Sequence, residues 1–574
     1  MKKTSIKLFT ILALAAVMTS CASLEKMRKN AEDIKYTVTP EVLEAHGGKV
    51  PASISVRIPA GYFSPKATLE ATPVLVYEGG ETAYPSQFVQ GEKAQGNYQV
   101  ISKANASTVT YSQAVDYNDK MRVSDLVIRI RATQGAKSVD FEDYKIAQGV
   151  ISTSALVETK GIKASVGSDQ FERITPLSKT AEILYLIQQA TVRNTELTKE
   201  EVKALNAFID EVKASENKEF KGASISAYAS PDGAVDLNTR LASQREASAK
   251  SYLNNQFNKA KVDAAKEGSF FDLKNTPEDW EGFKALMEKS EIQDKELILR
   301  VLAMHTDPEV REREIKNMAS TYSVIADEIL PQLRRSKLSV NVEEIGKSDE
   351  VLADLAVNNP SQLNVEEILY AATLTNDADE QLAIYKSAAS QYANDWRTHN
   401  NVGLALYAKG DLAAAKTAFE KANSVKANQP EVLNNLGAVA LRQGDLAKAE
   451  EYFGGAAGAG SELDNNLGVL AMKKGLYEEA VRYFGNSVSN NAALAKILAG
   501  NYDAALSTLN ANTEEVALKY YLKSVVGVRT NDTDLLFNNL RKAVELDGSY
   551  KAKAASDMEF AKYFADATFR SIVQ

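Results

Sequence analysis

Few residues of this chain are of a type and spacing that could do covalent or metal chemistry. Its 574 residues include three histidines and one cysteine. His46, His305 and His399 lie far apart, and none has a second histidine or a cysteine at ligand spacing. A zinc site needs several such ligands converging on one point, and a thiol or hydroxyl nucleophile needs a base beside it, so neither is expected. Cys21 alone leaves no partner for an intramolecular disulfide. No phosphate-binding glycine loop is present. The formal charge of -9, with no basic stripe interleaved with aromatics, argues against nucleic acid as a partner. The expectation is a non-enzymatic protein with no catalytic residue, metal or cofactor.

Cys21 is the residue whose surroundings do point to a reaction. Lys2, Lys3 and Lys7 flank the start of an apolar run over 8–17, too short to span a bilayer, and small residues lead on to the cysteine. That order is a secretory signal peptide over residues 1–20. Met18-Thr19-Ser20-Cys21 resembles a bacterial lipobox, with Met where Leu is commoner. The resemblance implies cleavage before Cys21 and its acylation, each buried CH2 adding about 0.8 kcal/mol of membrane affinity. Ala22 follows, not an aspartate that would resemble an inner-membrane retention signal. The expected location is therefore the outer membrane, lipid-anchored and facing the periplasm. An ordinary signal peptide cut nearby, with an incidental cysteine, stays open.

The second stretch of interest is 224–253. Ile225 and Ala227 alternate with Ser224, Ser226 and Tyr228, which suits a half-buried strand. Ser230-Pro231-Asp232-Gly233 supplies a turn. Leu237, Leu241, Ala249 and Leu253 then share one helix face. The stretch resembles the core of the OmpA-like, peptidoglycan-binding type of domain: Gly233, Asn238, Leu241 and Arg245 match, while Ser230 and Ala229 stand where the family has Asp and Thr. In that family an aspartate takes the ammonium of diaminopimelate and an arginine its carboxylate. The resemblance thus implies a peptidoglycan site of Ser230, Asp232, Asn238, Leu241 and Arg245, with Asp232 two residues late for the acid. A neutral Ser230 removes one charge-assisted bond worth about 1.5–3 kcal/mol. Arg245 as a plain helix residue and Asp232 as a plain turn residue are the other readings.

These residues need a frame. A first strand over 181–188, a Thr198-Lys-Glu-Glu201 capping box opening a helix with Val202, Leu205, Phe208 and Val212 on one face, and a closing strand over 333–342 give an α+β domain over 171–348. Residues 255–331 read as a helical insertion in it. Upstream, strand-like runs at 53–58, 74–77, 98–101, 107–111 and 125–131 suggest a β-sandwich of immunoglobulin-like type over 36–170, preceded by a tether over 21–35. Arg129 and Arg131 alternate with Ile128 and Ile130 and belong on its solvated face. A spacer or docking module is the expected role.

Residues 349–574 repeat. Asn400-Asn-Val-Gly403, Asn434-Asn-Leu-Gly437 and Asn465-Asn-Leu-Gly468 are each followed by Gly410, Gly444 and Gly475, then Ala415, Ala449 and Ala480, then Phe419, Phe453 and Phe484. The offsets are 34 and then 31 residues. The pattern resembles the tetratricopeptide repeat, a helix pair in which small residues let the helices cross closely and Phe fills the gap. Degenerate units flank it at 364–392, 491–510 and 514–547. The resemblance implies an all-α solenoid with a groove for a protein partner, lined by Asn401, Asn435 and Asn466; these asparagines could equally be core positions of the repeat.

Together the expectation is a multidomain protein: β-sandwich, OmpA-like domain with a helical insertion, and repeat solenoid. Two functions fit. One is an outer-membrane lipoprotein that links the membrane to peptidoglycan and scaffolds a protein partner through the repeats. The other is an accessory or assembly factor of an outer-membrane complex whose OmpA-like domain has lost peptidoglycan binding.

Overall fold

Strands alternating apolar and polar residues make up most of the N-terminal part of the described chain, residues 22–574 of a computed structural model. They are β1 (Lys35–Thr39), β2 (Leu43–Glu44), β3 (Lys49–Ile58), β4 (Thr68–Tyr77), β5 (Gly80–Ala83), β6 (Gln87–Gly91), β7 (Gln99–Ile101), β8 (Ser107–Asp116), β9 (Ser124–Gln134), β10 (Lys137–Asp140), β11 (Tyr144–Gln148) and β12 (Val150–Ile151). Val50, Ala52, Ile54 and Ile58 of β3 are buried and their neighbours are not, the period of two that a one-sided strand requires. One sheet has the order β1-β3-β8; the larger runs β10-β9-β4-β6-β7, with β11 beside β9 and β5 beside β4. Ile54, Ile58, Leu69, Val89, Ile128 and Ile130 from the two sheets share one core. Strands close in sequence are thus divided between the two sheets, β3 and β8 in one and β4 and β9 in the other. Arg129 pairs with Glu81 and Asp143, and Arg131 with Asp140, on the outer face.

Two boundaries differ from the sequence expectation. Residues 22–29 are a helix, and Leu24 and Met27 are fully buried in the sandwich core, so this stretch is part of the domain and not a tether. The sandwich itself ends at Ile151, not at 170, and residues 152–168 leave it to pack elsewhere.

The chain forms two compact units, one from the residues up to Ser168 together with Asp377–Gln574, the other from Asp169–Asn376. The repeat region therefore does not begin as a unit at 349: the helix Val365–Ala371 belongs to the second unit and Ala378–Gln391 to the first.

In the first unit, helix pairs follow from Trp396–Ala408 and Leu412–Val425 through Ala517–Thr530 and Thr533–Leu546, and short helices at Ser549–Ser556 and Ala567–Val573 close the array. The repeated glycines are where two helices touch. A Cβ on Gly403, Gly437 or Gly468 would stand 2.5, 2.4 or 2.7 Å from the ring of Phe419, Phe453 or Phe484. Gly437→Ala is expected to cost about 1–3 kcal/mol by overpacking. Gly454→Ala, with open space around it, is the control that should cost nothing, and urea unfolding measures both.

The second unit is a mixed sheet of β13 (Ile174–Leu184), β14 (Lys218–Tyr228), β15 (Phe271–Thr276) and β16 (Arg335–Ile345) in the order β13-β16-β14-β15. The helices Glu200–Ala214 and Val235–Lys259 cover it with Val202, Leu205, Ile209, Val212, Ala249, Leu253 and Phe257. Three expectations need correction. The first strand lies earlier than 181–188, because it pairs with β16 along its whole length from Ile174. No capping box forms at 198–201: the N-cap is Lys199, with no side-chain cap, and the Thr198 hydroxyl donates to the Thr195 carbonyl. The stretch 255–331 is not wholly helical. It begins inside the long helix and contains β15, paired parallel to β14 and packed by Phe270 and Phe271 against Phe257. The added helices run from Trp280 to Leu333 around their own core of Phe283, Met287, Ile298, Ile325 and Leu330.

Candidate functional site: an asparagine ladder

On the first helix of each repeat, the second asparagine stands two residues before the glycine that meets Phe. At about 100° per residue, this turns it some 200° away from that contact, toward the groove. The groove is filled by the chain's own residues 158–168. The Asn401 Oδ1 accepts from the Gly167 N–H at 2.8 Å and its Nδ2 donates to the Gly167 carbonyl at 2.9 Å. Asn435 does the same for Ser165, at 2.5 and 2.7 Å. Asn466 does it for Lys163, at 2.8 and 2.7 Å. Asn491 does it for Glu158, at 2.8 and 2.9 Å. Each carboxamide thus offers one residue the acceptor and donor that a neighbouring strand would offer.

Along 163–167 the ladder steps by two residues per repeat, the period of extended chain, and the segment runs opposite to the order of the repeats. The first asparagine of each pair is used as well. Asn400 donates to the Ser165 carbonyl, Asn434 to the Ser165 hydroxyl and Asn465 to the Gly161 carbonyl. Neighbouring repeats are joined in turn, Asn435 Nδ2 donating to Asn400 Oδ1 and Asn466 Nδ2 to Asn434 Oδ1, both at 2.9 Å. Asn400, Asn401, Asn434, Asn435 and Asn466 are at most 1 % exposed. A buried amide left unpaired costs about 1–3 kcal/mol, so the groove and its segment depend on each other.

Side chains of the segment are engaged as well, Ala164 packing against the repeat core and the Glu158 carboxylate accepting from Asn490. Ile162 is buried in the repeat core, and the Tyr407 hydroxyl donates to its carbonyl at 3.1 Å. Ser165 and Gly167 are buried, while Lys163 and Val166 point outward. A Cβ on Gly167 would come within 3.0 Å of Arg397 Cβ.

The same unit is closed at its far end by charge. Arg529 pairs with Glu559 and with Glu44 of the sandwich, and the Thr153 hydroxyl donates to Glu559. Beside them the Tyr521 hydroxyl donates to Asp557 at 2.6 Å. Burial raises the Asp557 carboxyl above its ordinary 3.8, although Tyr521 pulls the other way. The native state then holds that proton to higher pH than the unfolded chain does, so this group's contribution to stability is greatest below 3.8 and falls as pH rises through the native value. The stability of Asp557→Asn relative to wild type should accordingly rise as pH increases above 3.8. A flat difference in urea unfolding would count against this.

The residues singled out in the second unit come together around the turn after β14. Arg245 is 1 % exposed. Its Nη1 donates to the Tyr228 carbonyl at 2.8 Å and its Nε to the Gln189 carbonyl at 3.0 Å, with Tyr185 against its guanidinium. Burial draws its pKa down to about 10, which leaves it charged at neutral pH. Asp232 accepts from Ser230 and forms an ion pair with Arg334 at 2.9 Å, and Arg334 Nε also donates to the Ser230 hydroxyl. Arg334 was not among the expected site residues; a second cation beside an acid has no signature at a separation of 102 residues. Asn238 donates to the Gly233 carbonyl, and Leu241 is buried in a small cluster with Ala229 and Ala242. The added helices reach this turn, Lys316 donating to the Asp232 carbonyl at 3.3 Å.

Asn491 was missed as well, although its Asn490-Asn491 pair repeats the earlier ones; its spacing of 25 from Asn466 disguised it. Cys21 and the signal peptide lie outside the described residues. Among the described residues no group of three metal-ligating side chains converges, and no helix is long and apolar enough to cross a membrane.

A tetratricopeptide repeat family profile matches residues 397–429. The solved structures that resemble the chain include a tetratricopeptide repeat protein from Parabacteroides merdae, at 17% identity over 37% of this chain and 91% of that one, with a TM-score of 0.28. YrrB, described as a TPR protein with an unusual peptide-binding site, matches at 19% identity over 30% and 96%, with a TM-score of 0.25. PilF of Pseudomonas aeruginosa matches at 16% identity over 39% and 98%, with a TM-score of 0.27. No curated protein matches the chain in sequence. By the profile match, residues 397–429 are a repeat of tetratricopeptide type, and repeats of this type suggest a protein-interaction scaffold.

Proposed function

We propose that this protein is a non-enzymatic scaffold of the bacterial cell envelope, anchored to the outer membrane through a lipidated Cys21 and facing the periplasm. On this reading it is an accessory or assembly factor of an outer-membrane complex, and its second unit is an OmpA-like domain that no longer binds peptidoglycan. The β-α-β-α order with a closing strand β16 supports the OmpA-like assignment.

The observation that carries the choice between linker and accessory factor is Arg245. A diaminopimelate carboxylate needs guanidinium donors at a surface, and two donors of Arg245 are turned inward to the carbonyls of Tyr228 and Gln189. Asp232, the acid nearest the family position, is taken by Arg334.

Sedimentation with purified sacculi tests this. The protein should stay in the supernatant; co-sedimentation that Asp232→Asn abolishes would restore the linker role. The anchor is tested by metabolic labelling with palmitate, which should mark the wild type and not Cys21→Ser.

A further inference from the structure

Arg122 is a cation without an acid. It ends the single helical turn Asp119–Arg122 just before β9, and its Nε is buried with no hydrogen-bond acceptor in the chain. Among the described residues its side chain forms neither a hydrogen bond nor an ion pair. Arg129, Arg131 and Arg529 of the same unit each hold carboxylates. The acids around Arg122 are engaged elsewhere: Asp125 pairs with Lys145 at 2.7 Å, Asp557 accepts from Tyr521, and Glu559 is held by Arg529. Asp119 and Glu78 are exposed. A guanidinium keeps its charge, so a buried donor of this kind without an acceptor costs stability that an anion would return.

Arg122 lines a cleft of about 420 Å³ between the sandwich and the end of the array. Val76 of β4, Val123 and Gln148 of β11 stand on one wall, Met558 and Phe564 on the other. Gly149 brings the walls together: its φ is +66°, and a Cβ there would stand 2.3 Å from Met558 Cγ. Lys553, seated on the rings of Tyr521 and Tyr550, is a second cation close by. Burial lowers its pKa and the charge of Arg122 lowers it further, while Asp557 acts against both. We propose that this cleft binds an organic carboxylate with an apolar body. The Nε and one Nη of Arg122 take the two carboxylate oxygens, whose spacing matches two parallel N–H donors, and Val123, Met558 and Phe564 take the body. A free acid and the C-terminal carboxylate of a peptide with an apolar last residue offer this same chemistry. Neither the groove of the repeats nor the envelope reading enters.

Calorimetric titration of the full chain with phenylpropionate tests this. Wild type should bind it saturably, and should bind phenylpropionamide, which keeps the body and loses the charge, about tenfold more weakly or worse. Arg122→Gln should weaken binding of the acid by about tenfold or more. Arg122→Lys should recover part of that loss, because an ammonium has no fork. Val123 is 60 % exposed, so Val123→Asp leaves the core untouched; its carboxylate beside Arg122 should compete with the ligand and weaken binding to a similar degree. That variant decides the matter if Arg122→Gln loses its cooperative unfolding. An acetylated tetrapeptide ending in leucine, set against its C-terminal amide, separates the two sources: tighter binding of the peptide acid than of phenylpropionate assigns the site to a chain terminus, weaker binding to a free acid. The proposal is overturned if neither acid binds wild type, if the amides bind as well as the acids, or if Val123→Asp and a folded Arg122→Gln leave binding unchanged.

Discussion

Asn435→Ala is expected to be among the most destabilising single substitutions in the repeats, at about 2–6 kcal/mol. The figure follows from what loses a partner. The Ser165 N–H and the Asn400 Oδ1 each depend on the Asn435 carboxamide, and both lie in buried surroundings. Each orphaned group costs about 1–3 kcal/mol. The Ser165 carbonyl still receives Asn400 and adds less. Asn435→Asp sharpens the comparison: it keeps an acceptor for the Ser165 N–H but sets a carboxylate against the Ser165 carbonyl and Asn400 Oδ1, so it should be at least as harmful. Urea unfolding gives the loss. Hydrogen exchange at the Ser165 amide says whether the loss is in the ladder, since that amide should become exposed while amides within the helix pairs stay protected. A cost below about 0.5 kcal/mol, ordinary for a surface substitution, would mean that the ladder holds nothing.

Arg245→Met separates two roles for one arginine. If its guanidinium served a ligand at the surface, the substitution would cost binding and leave stability near the wild-type value. The geometry predicts the reverse. Two charge-assisted bonds, to the Tyr228 and Gln189 carbonyls, would be lost at about 1.5–3 kcal/mol each, giving a loss of roughly 3–6 kcal/mol less the relief of no longer burying a charge. Arg245→Lys should recover part of this, because a single ammonium cannot span two carbonyls as a planar fork does. Urea unfolding of the full chain, followed by a probe in the second unit, measures all three proteins. A near-zero cost for Arg245→Met would return this residue to the ligand-binding reading.

Much of the architecture was legible in the residues because it is written locally. The contacts of Gly437 with Phe453, and their equivalents on either side, follow from a spacing that helix geometry converts into touching positions. The alternation in β3 and β9 follows from the pleat. The strand β15 was not legible: Phe271-Asp-Leu-Lys-Asn-Thr276 is short, and its place beside β14 depends on the aromatic packing around Phe257. Residues 22–29 read as polar tether because only Leu24 and Met27 mark a buried face, too few to declare it.

The sequence by itself determined that helix pairs of tetratricopeptide type would form and that Asn401, Asn435 and Asn466 would recur at one position of them. Only the tertiary structure decided what those asparagines hold. Residues 158–168 are bound through N–H and carbonyl groups that every residue but proline possesses, so no side-chain pattern advertises them. Likewise Arg245 could be placed on a helix from its neighbours, but the direction of its guanidinium depends on two carbonyls, 17 and 56 residues away, whose positions exist only once the sheet and its preceding loop have closed.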